Sequence, residues 1–339
     1  MIDLRSLSGR PGARLLGSLA VVLVLGCHGR RAKAPDWVAS APAGTVMAVS
    51  GATGWVLEQP QFQRLLGQYP MAEQSLDLFL KKAKINPHQE TGRVSFYVLS
   101  DRPLTEAGDL KVEPGDFLIQ LGGFRNSGAL DLAILDAFPQ EGSIPFGHAE
   151  LPLYVLMDYN QFHIRALVDG EGRVWLGDLG ALAKLGSGRL GGRDPILACT
   201  QWTNGGAPFQ GFLRPQGLIQ VASARLSAEV ARNLPKGIDA LAWSVTPGAA
   251  QGPEASRLHR FELALTGSPE GILEVAPWLQ RFVAAAAGLP GAASQSSEIL
   301  QEQRRIGLRA QLTQEQVNIA LAKLSQPGIS FGRPEPGRK

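Results

Sequence analysis

Cysteine is scarce in this chain, which has only Cys27 and Cys199 among 339 residues. Two cysteines cannot build the disulfide framework of a small secreted scaffold, and no Cys-x-x-Cys pair is present to hold zinc or carry redox chemistry. Cys199 lies among apolar residues in PILACTQW, with no neighbouring histidine or lysine to lower its pKa. We therefore expect a small buried hydrophobic residue there and not a catalytic thiol.

Histidine is equally sparse, and no histidine follows another at a spacing of three or four residues, which excludes the two-histidine helical zinc motif. We expect His163 to face solvent on a strand, and we interpret both His163 and His259 as structural. The sequence therefore predicts neither catalytic residues nor a metal site. The five histidines are His28, His88, His148, His163 and His259.

Phosphate-binding and nucleophile motifs are missing as well: there is no P-loop and no G-x-S-x-G elbow. A G-x-G-x-x-G does occur at Gly186, Gly188 and Gly191. A dinucleotide site needs a strand before these glycines and a helix after them. Here a predicted helix precedes them, and RDPILACTQW looks like a turn into a strand. We interpret the glycines as a flexible loop and predict no cofactor.

The chain carries little net charge, formally +3. Residues 1–26 hold three arginines and one aspartate, so the remainder is close to +1. No long basic stripe remains, so no nucleic-acid partner is expected. With 44% hydrophobic and 19% charged residues, the composition is that of a folded protein.

The N-terminus has the three parts of an export signal. Arg5, Arg10 and Arg14 form a basic region, and an apolar run of eleven residues follows at 15–25. That run is too short to span a bilayer, which needs about 20 apolar residues. A basic flank, a short apolar run and a small residue at its end are typical of a secretory signal peptide.

The signal ends at Val24-Leu25-Gly26-Cys27, which resembles the lipobox of bacterial lipoproteins. The resemblance implies cleavage between Gly26 and Cys27, acyl chains on Cys27, and anchoring to the bacterial cell envelope on the periplasmic side or at the outer membrane. Several acyl chains hold a protein firmly, at about 0.8 kcal/mol for each buried methylene group. In the inner-membrane retention signal of enterobacterial lipoproteins, an aspartate follows the cysteine. Here His28 follows Cys27, and this difference favours the outer membrane. An ordinary secretory signal and an uncleaved anchor stay open as alternatives.

Strand and helix patterns alternate through the rest of the chain. In RIGLRAQL, Ile306, Leu308, Ala310 and Leu312 share one face of a strand. Thr313 and Gln316 then have the spacing of a helix capping box, and TQEQVNIALAKL continues at helical spacing. Polar residues alternate with apolar ones on the strands, so we expect helices on one face of the sheet and an open second face.

Similar units occur elsewhere. HRFELALTG precedes a helix that Ser268 caps and Pro269 begins. DFLIQLGGF precedes a helix capped at Asn126 or Ser127, and QFHIRALVDGEGRVWLGD is typical of a hairpin. TVMAVSG, RVSFYVLS, PFQGFLRP and DALAWSVTPG are further predicted strands. Two helices are predicted between residues 60 and 85 and one in SAEVARNL.

The order of these elements is similar in the two halves, and both end in ALAKL, at 181–185 and 320–324. The sequence therefore predicts an α+β fold of mainly antiparallel sheets, duplicated into two lobes. The predicted boundaries are a signal peptide at 1–26, a tether at 27–41, lobes at 42–190 and 191–325, and a flexible tail at 326–339.

These observations predict a lipoprotein with a non-catalytic binding or structural role. Its partners would be the membrane, through Cys27, and an envelope protein or lipid. Two alternatives are an envelope hydrolase, whose site forms only in the fold, and a carrier of a small apolar ligand between the lobes.

Overall fold

Antiparallel β-structure dominates the protein. The computed structural model describes residues 35–58, 81–82, 84, 86, 92–99, 117–125, 127–159, 162–191, 194–215, 237–248, 258–287, 297–313 and 316. The described strands are β1 (Thr45–Ala52), β2 (Arg93–Leu99), β3 (Phe117–Gly122), β4 (Gln140–Phe146), β5 (Ala149–Tyr159), β6 (Phe162–Val168), β7 (Val174–Gly177), β8 (Phe209–Leu213), β9 (Ile238–Pro247), β10 (His259–Gly267), β11 (Ser297–Glu302) and β12 (Arg305–Leu312).

All twelve strands belong to one sheet, in the order β11-β12-β10-β9-β8-β1-β2-β3-β7-β6-β5-β4. Every described pairing is antiparallel. The sheet is continuous across the predicted lobe boundary, because β1 pairs with β8 through Val49 and Gly211. The predicted α+β class with mainly antiparallel strands is therefore confirmed.

Helices lie on both faces of this sheet, so the predicted one-face arrangement is wrong. The described helices are α1 (Asp36–Ala39), α2 (Thr53–Glu58), α3 (Ser127–Ala137), α4 (Leu179–Lys184), α5 (Pro195–Thr200) and α6 (Pro269–Ala287). On β10, Ala264 packs in one core cluster with α1, α4 and α5, whereas its neighbour Leu263 packs in another with α6. Successive strand residues point to opposite faces, so these helices cover opposite faces. Helix α3 covers the same face as α6, against Ala166 and Val174.

Several local predictions are confirmed by the structure. Every second residue of β12, from Ile306 to Leu312, is buried. The capping box forms in both directions: Thr313 N–H donates to Gln316 Oε1 at 2.8 Å, and Gln316 N–H donates to Thr313 Oγ1 at 3.2 Å. The hydroxyl of Ser268 accepts a hydrogen bond from Gly271 N–H at 3.1 Å, at the start of α6.

Three regions differ from the predictions. Strands β4, β5 and β11 have no predicted counterpart. Most positions of β4 and β11 are exposed, which weakens the apolar alternation in those two strands. Residues 195–200 form helix α5, capped by Asp194, where a turn into a strand was predicted. Residues 36–41 belong to the core and not to a tether, since Trp37 and Val38 are 5% and 0% exposed. A single helical turn is too short to show periodicity in a sequence.

The signal peptide, most of the helices predicted at 60–85, the helix in SAEVARNL and the C-terminal tail lie outside the described residues. Among the residues that are described, no helix is long and apolar enough to cross a membrane.

Candidate functional site

A line of polar side chains crosses the middle of the sheet, and we call it the polar row. Each member pairs directly with the next across neighbouring strands, so all of them point to the face that α1 and α5 cover. None is more than 3% exposed. In their order across the sheet, the six residues are Gln120, Ser95, Ser50, Gln210, Ser244 and Glu262.

Helix α1 covers the polar row from Gln120, at one end, to Gln210. The hydroxyl of Tyr97 lies 2.7 Å from the carbonyl oxygen of Trp37 and 2.8 Å from Oε1 of Gln120. The amide of Gln120 donates to the hydroxyl of Ser40 at 2.8 Å. The indole N–H of Trp37 donates to Oε1 of Gln210 at 3.3 Å. The row therefore provides polar partners for a helix that would otherwise bury unsatisfied groups.

The segment after α5 closes the other end. The carboxylate of Glu262 accepts hydrogen bonds from Asn204 N–H and, at 2.9 Å, from the hydroxyl of Ser244. It also pairs with Arg260, whose Nη2 lies 2.7 Å away. The Glu262 side chain is only 3% exposed, so these donors replace the water that it loses on folding.

Arg93 lies beside the centre of the row, where the two halves of the sheet meet. Its guanidinium donates to Ser50 Oγ at 2.9 Å, to the Ser50 carbonyl at 3.1 Å and to the Ala207 carbonyl at 3.0 Å. Burial lowers the pKa of Arg93 to about 10, partly offset by Tyr97. Arg93 thus ties β1 to the chain that enters β8, through neutral acceptors.

The β6–β7 hairpin carries a second buried carboxylate, Asp169. It accepts hydrogen bonds from the Trp175 indole at 2.9 Å, from Arg173 Nε at 2.7 Å, and from the Glu171 and Arg173 backbone N–H groups at 3.0 and 3.1 Å. Burial alone would raise the pKa of Asp169, but the bonds from Trp175 and Arg173 outweigh it and lower the pKa. Asp169 therefore stays ionised in the folded protein.

Arg189 packs between two aromatic rings next to this hairpin. Its guanidinium carbon lies 5.2 Å from the centroid of Trp175 and 5.3 Å from that of Phe146, and Nη1 donates to the Ser40 carbonyl at 2.8 Å. Burial and the nearby charge of Arg173 lower the pKa of Arg189. Arg189 thereby links the loop of Gly186, Gly188 and Gly191 to Ser40, at the end of α1.

These buried acids are poorly suited to general acid–base catalysis. A general base needs lone pairs free to accept a proton and a pKa near the working pH. Asp169 is surrounded by four donors and its pKa is lowered, and Glu262 accepts bonds from three residues. Both carboxylates therefore have a structural explanation.

One histidine and one carboxylate do form an exposed pair. His163 on β6 bonds through Nδ1 to Asp158 on β5, and their side chains are 52% and 53% exposed. Nη2 of Arg165 also lies 3.7 Å from Asp158. The predicted exposure of His163 is therefore confirmed.

Cys199 is fully buried, as predicted. Its sulfur lies 2.9 Å from the Ala264 carbonyl oxygen, and burial raises the pKa of the thiol above its ordinary value. A thiol held neutral in this way is a poor nucleophile.

The other predicted site residues are placed as follows. Gly26 and Cys27 lie outside the described residues. Gly186 and Gly188 follow α4 at a 3₁₀ turn, and Arg189 pairs with Pro42 in an isolated bridge, so this loop is part of the fold. Among the residues that the structure describes, no group of three acidic, histidine or cysteine side chains is arranged to hold a metal ion.

No family model, curated protein or solved structure matches this chain.

The polar row and the role of Arg93 have no counterpart among the sequence-based predictions. The available signal was the position of Ser95, Gln120 and Glu262, which share strand parity with buried residues in RVSFYVL, FLIQLG and HRFELALTG. From alternation alone, polar strand residues are predicted to face solvent. Only the cross-strand register shows that they align beneath α1 and α5.

Proposed function

We propose that this protein is a membrane-anchored lipoprotein of the bacterial cell envelope with a non-catalytic binding or structural role. The observation that carries the proposal is the sequence Val24-Leu25-Gly26-Cys27 at the end of a short apolar run with a basic flank. Lipidation of Cys27 would keep the folded residues that follow it at the membrane surface.

The described body is consistent with a role that needs no catalysis. Its buried acids, Asp169 and Glu262, are fully occupied by hydrogen bonds and ion pairs. Its cysteine is buried against backbone carbonyls. A continuous sheet covered on both faces provides a rigid body for presenting a binding surface.

We also propose that the body is an internal duplication. From the centre outward, one half of the sheet runs β1-β2-β3-β7-β6 and the other runs β8-β9-β10-β12-β11. A short helix precedes the first strand of each half, and a longer one follows the third. The hairpin β4–β5 is then an insertion in the first half. Producing residues 27–191 and 192–339 as two chains in one cell tests this idea, and association into a soluble complex is expected.

The anchor is tested by growing cells with radiolabelled palmitate. The wild type should incorporate label and fractionate with membranes, and Cys27→Ser should lose the label and become soluble. Cys199→Ala is the matched control and should keep the label.

The binding role is tested by crosslinking in cells followed by mass spectrometry. Reproducible recovery of the same envelope component by wild type and not by Cys27→Ser supports it.

A second candidate is an envelope hydrolase, and the exposed His163–Asp158 pair is the observation that favours it. A carboxylate bonded to Nδ1 orients an imidazole for general-base work through Nε2. Hydrolysis of cell-envelope material by the wild type, lost in His163→Ala and retained in the exposed control His148→Ala, would favour this candidate over the binding role.

A further inference from the structure

In the part of the chain that the structure describes, the two outermost strands of the sheet differ in how well their outer edges resist pairing with another chain. At one end, β4 carries a register irregularity between Gln140 and Gly142, a left-handed backbone at Gly142 and a proline at 145. Bulges and prolines prevent strand addition at an edge. At the other end, β11 pairs with β12 over six residues without a register shift, and it contains no glycine or proline.

The comparison of the two halves points to the same edge. In the first half, 24 residues separate α3 from β6, and they include β4 and β5, which extend the sheet beyond β6. In the second half, only nine residues separate α6 from β11. Nine residues are too few for a hairpin with strands as long as β4 and β5, at about 3.3 Å per strand residue. Among the residues that the structure describes, β11 therefore has no neighbour in the place that β5 takes beside β6.

The side chains of β11 define the chemistry of a strand that would fit there. Glu298 and Glu302 point to one face, opposite Arg309 and Arg305 of β12 in the strand register, and both are exposed. Arg309 Nη1 lies 3.8 Å from Glu298 Oε2, and the Glu298 side chain stays 58% exposed beside this ion pair. Ile299 points to the other face and packs against the α6 core cluster. In an added strand, successive side chains would point to opposite faces of the sheet. One set would lie on the face of Glu298 and Glu302, and the other set would lie on the face of Ile299 and α6.

We propose that the outer edge of β11 binds an extended segment of a partner protein as an added antiparallel strand, and that this segment alternates basic and apolar residues. The main chain of β11 provides the hydrogen bonds, Glu298 and Glu302 select the basic residues, and the Ile299 side extends the apolar core. The proposal rests on the binding role above but not on the lipid anchor. If the protein binds such a segment but carries no acyl group, the proposed lipid anchor is wrong and the proposed strand addition still holds.

The test uses the purified full-length mature protein and a fluorescent nine-residue peptide that alternates lysine and valine. We expect saturable binding that weakens as salt rises, with new hydrogen-exchange protection confined to residues 297–302. The variant with both Glu298→Lys and Glu302→Lys should bind about tenfold more weakly, because two favourable cross-strand charge pairs become repulsive. The matched control, with Glu270→Lys and Glu274→Lys on exposed positions of α6, should bind as the wild type does.

Three results would overturn the proposal. In the first, the peptide fails to bind, and hydrogen exchange of the free protein shows every amide of 297–302 already protected, so that this chain covers its own edge. In the second, the peptide fails to bind although alternate amides of β11 exchange rapidly. In the third, a peptide of the same sequence with alternate backbone amides N-methylated binds equally well, so that charge alone explains the binding.

Discussion

The hydroxyl of Tyr97 lies 2.7 Å from the carbonyl oxygen of Trp37, and this contact joins the sheet to the first described helix. The same hydroxyl lies 2.8 Å from Gln120 Oε1, at the end of the polar row. Helix α1 has only four residues, so it depends on such tertiary contacts for its stability. Tyr97 is fully buried, and burial raises the pKa of its phenol.

The variant Tyr97→Phe should lower the free energy of unfolding by about 1–3 kcal/mol, since it removes a buried hydroxyl that hydrogen-bonds between the Trp37 carbonyl and Gln120 Oε1. Chemical denaturation of wild type and variant measures the difference. Tyr154→Phe removes the hydroxyl of another buried tyrosine, outside the polar row, and should have the smaller effect. Equal losses in the two variants would contradict a special role for the Tyr97 contact.

Asp169→Asn should destabilise the protein by about 2–4 kcal/mol near neutral pH, because Arg173 loses its buried carboxylate partner. The pKa of Asp169 is lowered in the folded state. Its stabilising contribution is therefore present above the ordinary pKa of about 4 and is lost as the pH falls through the lowered value. The free energy of unfolding should decrease more steeply with acid in the wild type than in the variant, and parallel curves would contradict this explanation.

Gly211→Ala should destabilise the centre of the sheet by about 1–3 kcal/mol. A Cβ at Gly211 would lie 2.1 Å from Cζ2 of Trp243, on the adjoining strand. Combining Gly211→Ala with Trp243→Leu should recover part of the loss relative to the sum of the single variants. Gly170→Ala is the control, because a Cβ there meets no atom within 4 Å.

The thiol of Cys199 should not react with a disulfide reagent in the native protein, because it is buried and its pKa is raised. In denaturant, a mature chain with an acylated Cys27 should titrate as one thiol per molecule. Rapid reaction of the native protein would contradict the buried position of Cys199.

Much of the fold could be predicted from strand alternation and helix caps. Strand β12, the Thr313–Gln316 capping box and the Ser268 cap all follow from local residue types. Local patterns report which side of an element is apolar. They do not report which strands are neighbours, and so they predicted helices on one face where the structure has them on both.

The polar row could not be predicted for the same reason. Ser95 and Glu262 look like solvent-facing strand residues in the sequence, and their burial depends on contacts with Ser50 and Asn204, which are 45 and 58 residues away. Helix α5 was missed although Asp194 and Pro195 form a recognisable helix start, because the apolar run behind them is also typical of a strand.

The most direct test of the account is the mass of the N-terminal peptide of the protein isolated from bacterial membranes. If the protein is a lipoprotein, this chain begins at Cys27 and carries acyl chains on that residue. A chain that retains residues 1–26, or one that is cut elsewhere and has an unmodified thiol at Cys27, would contradict it.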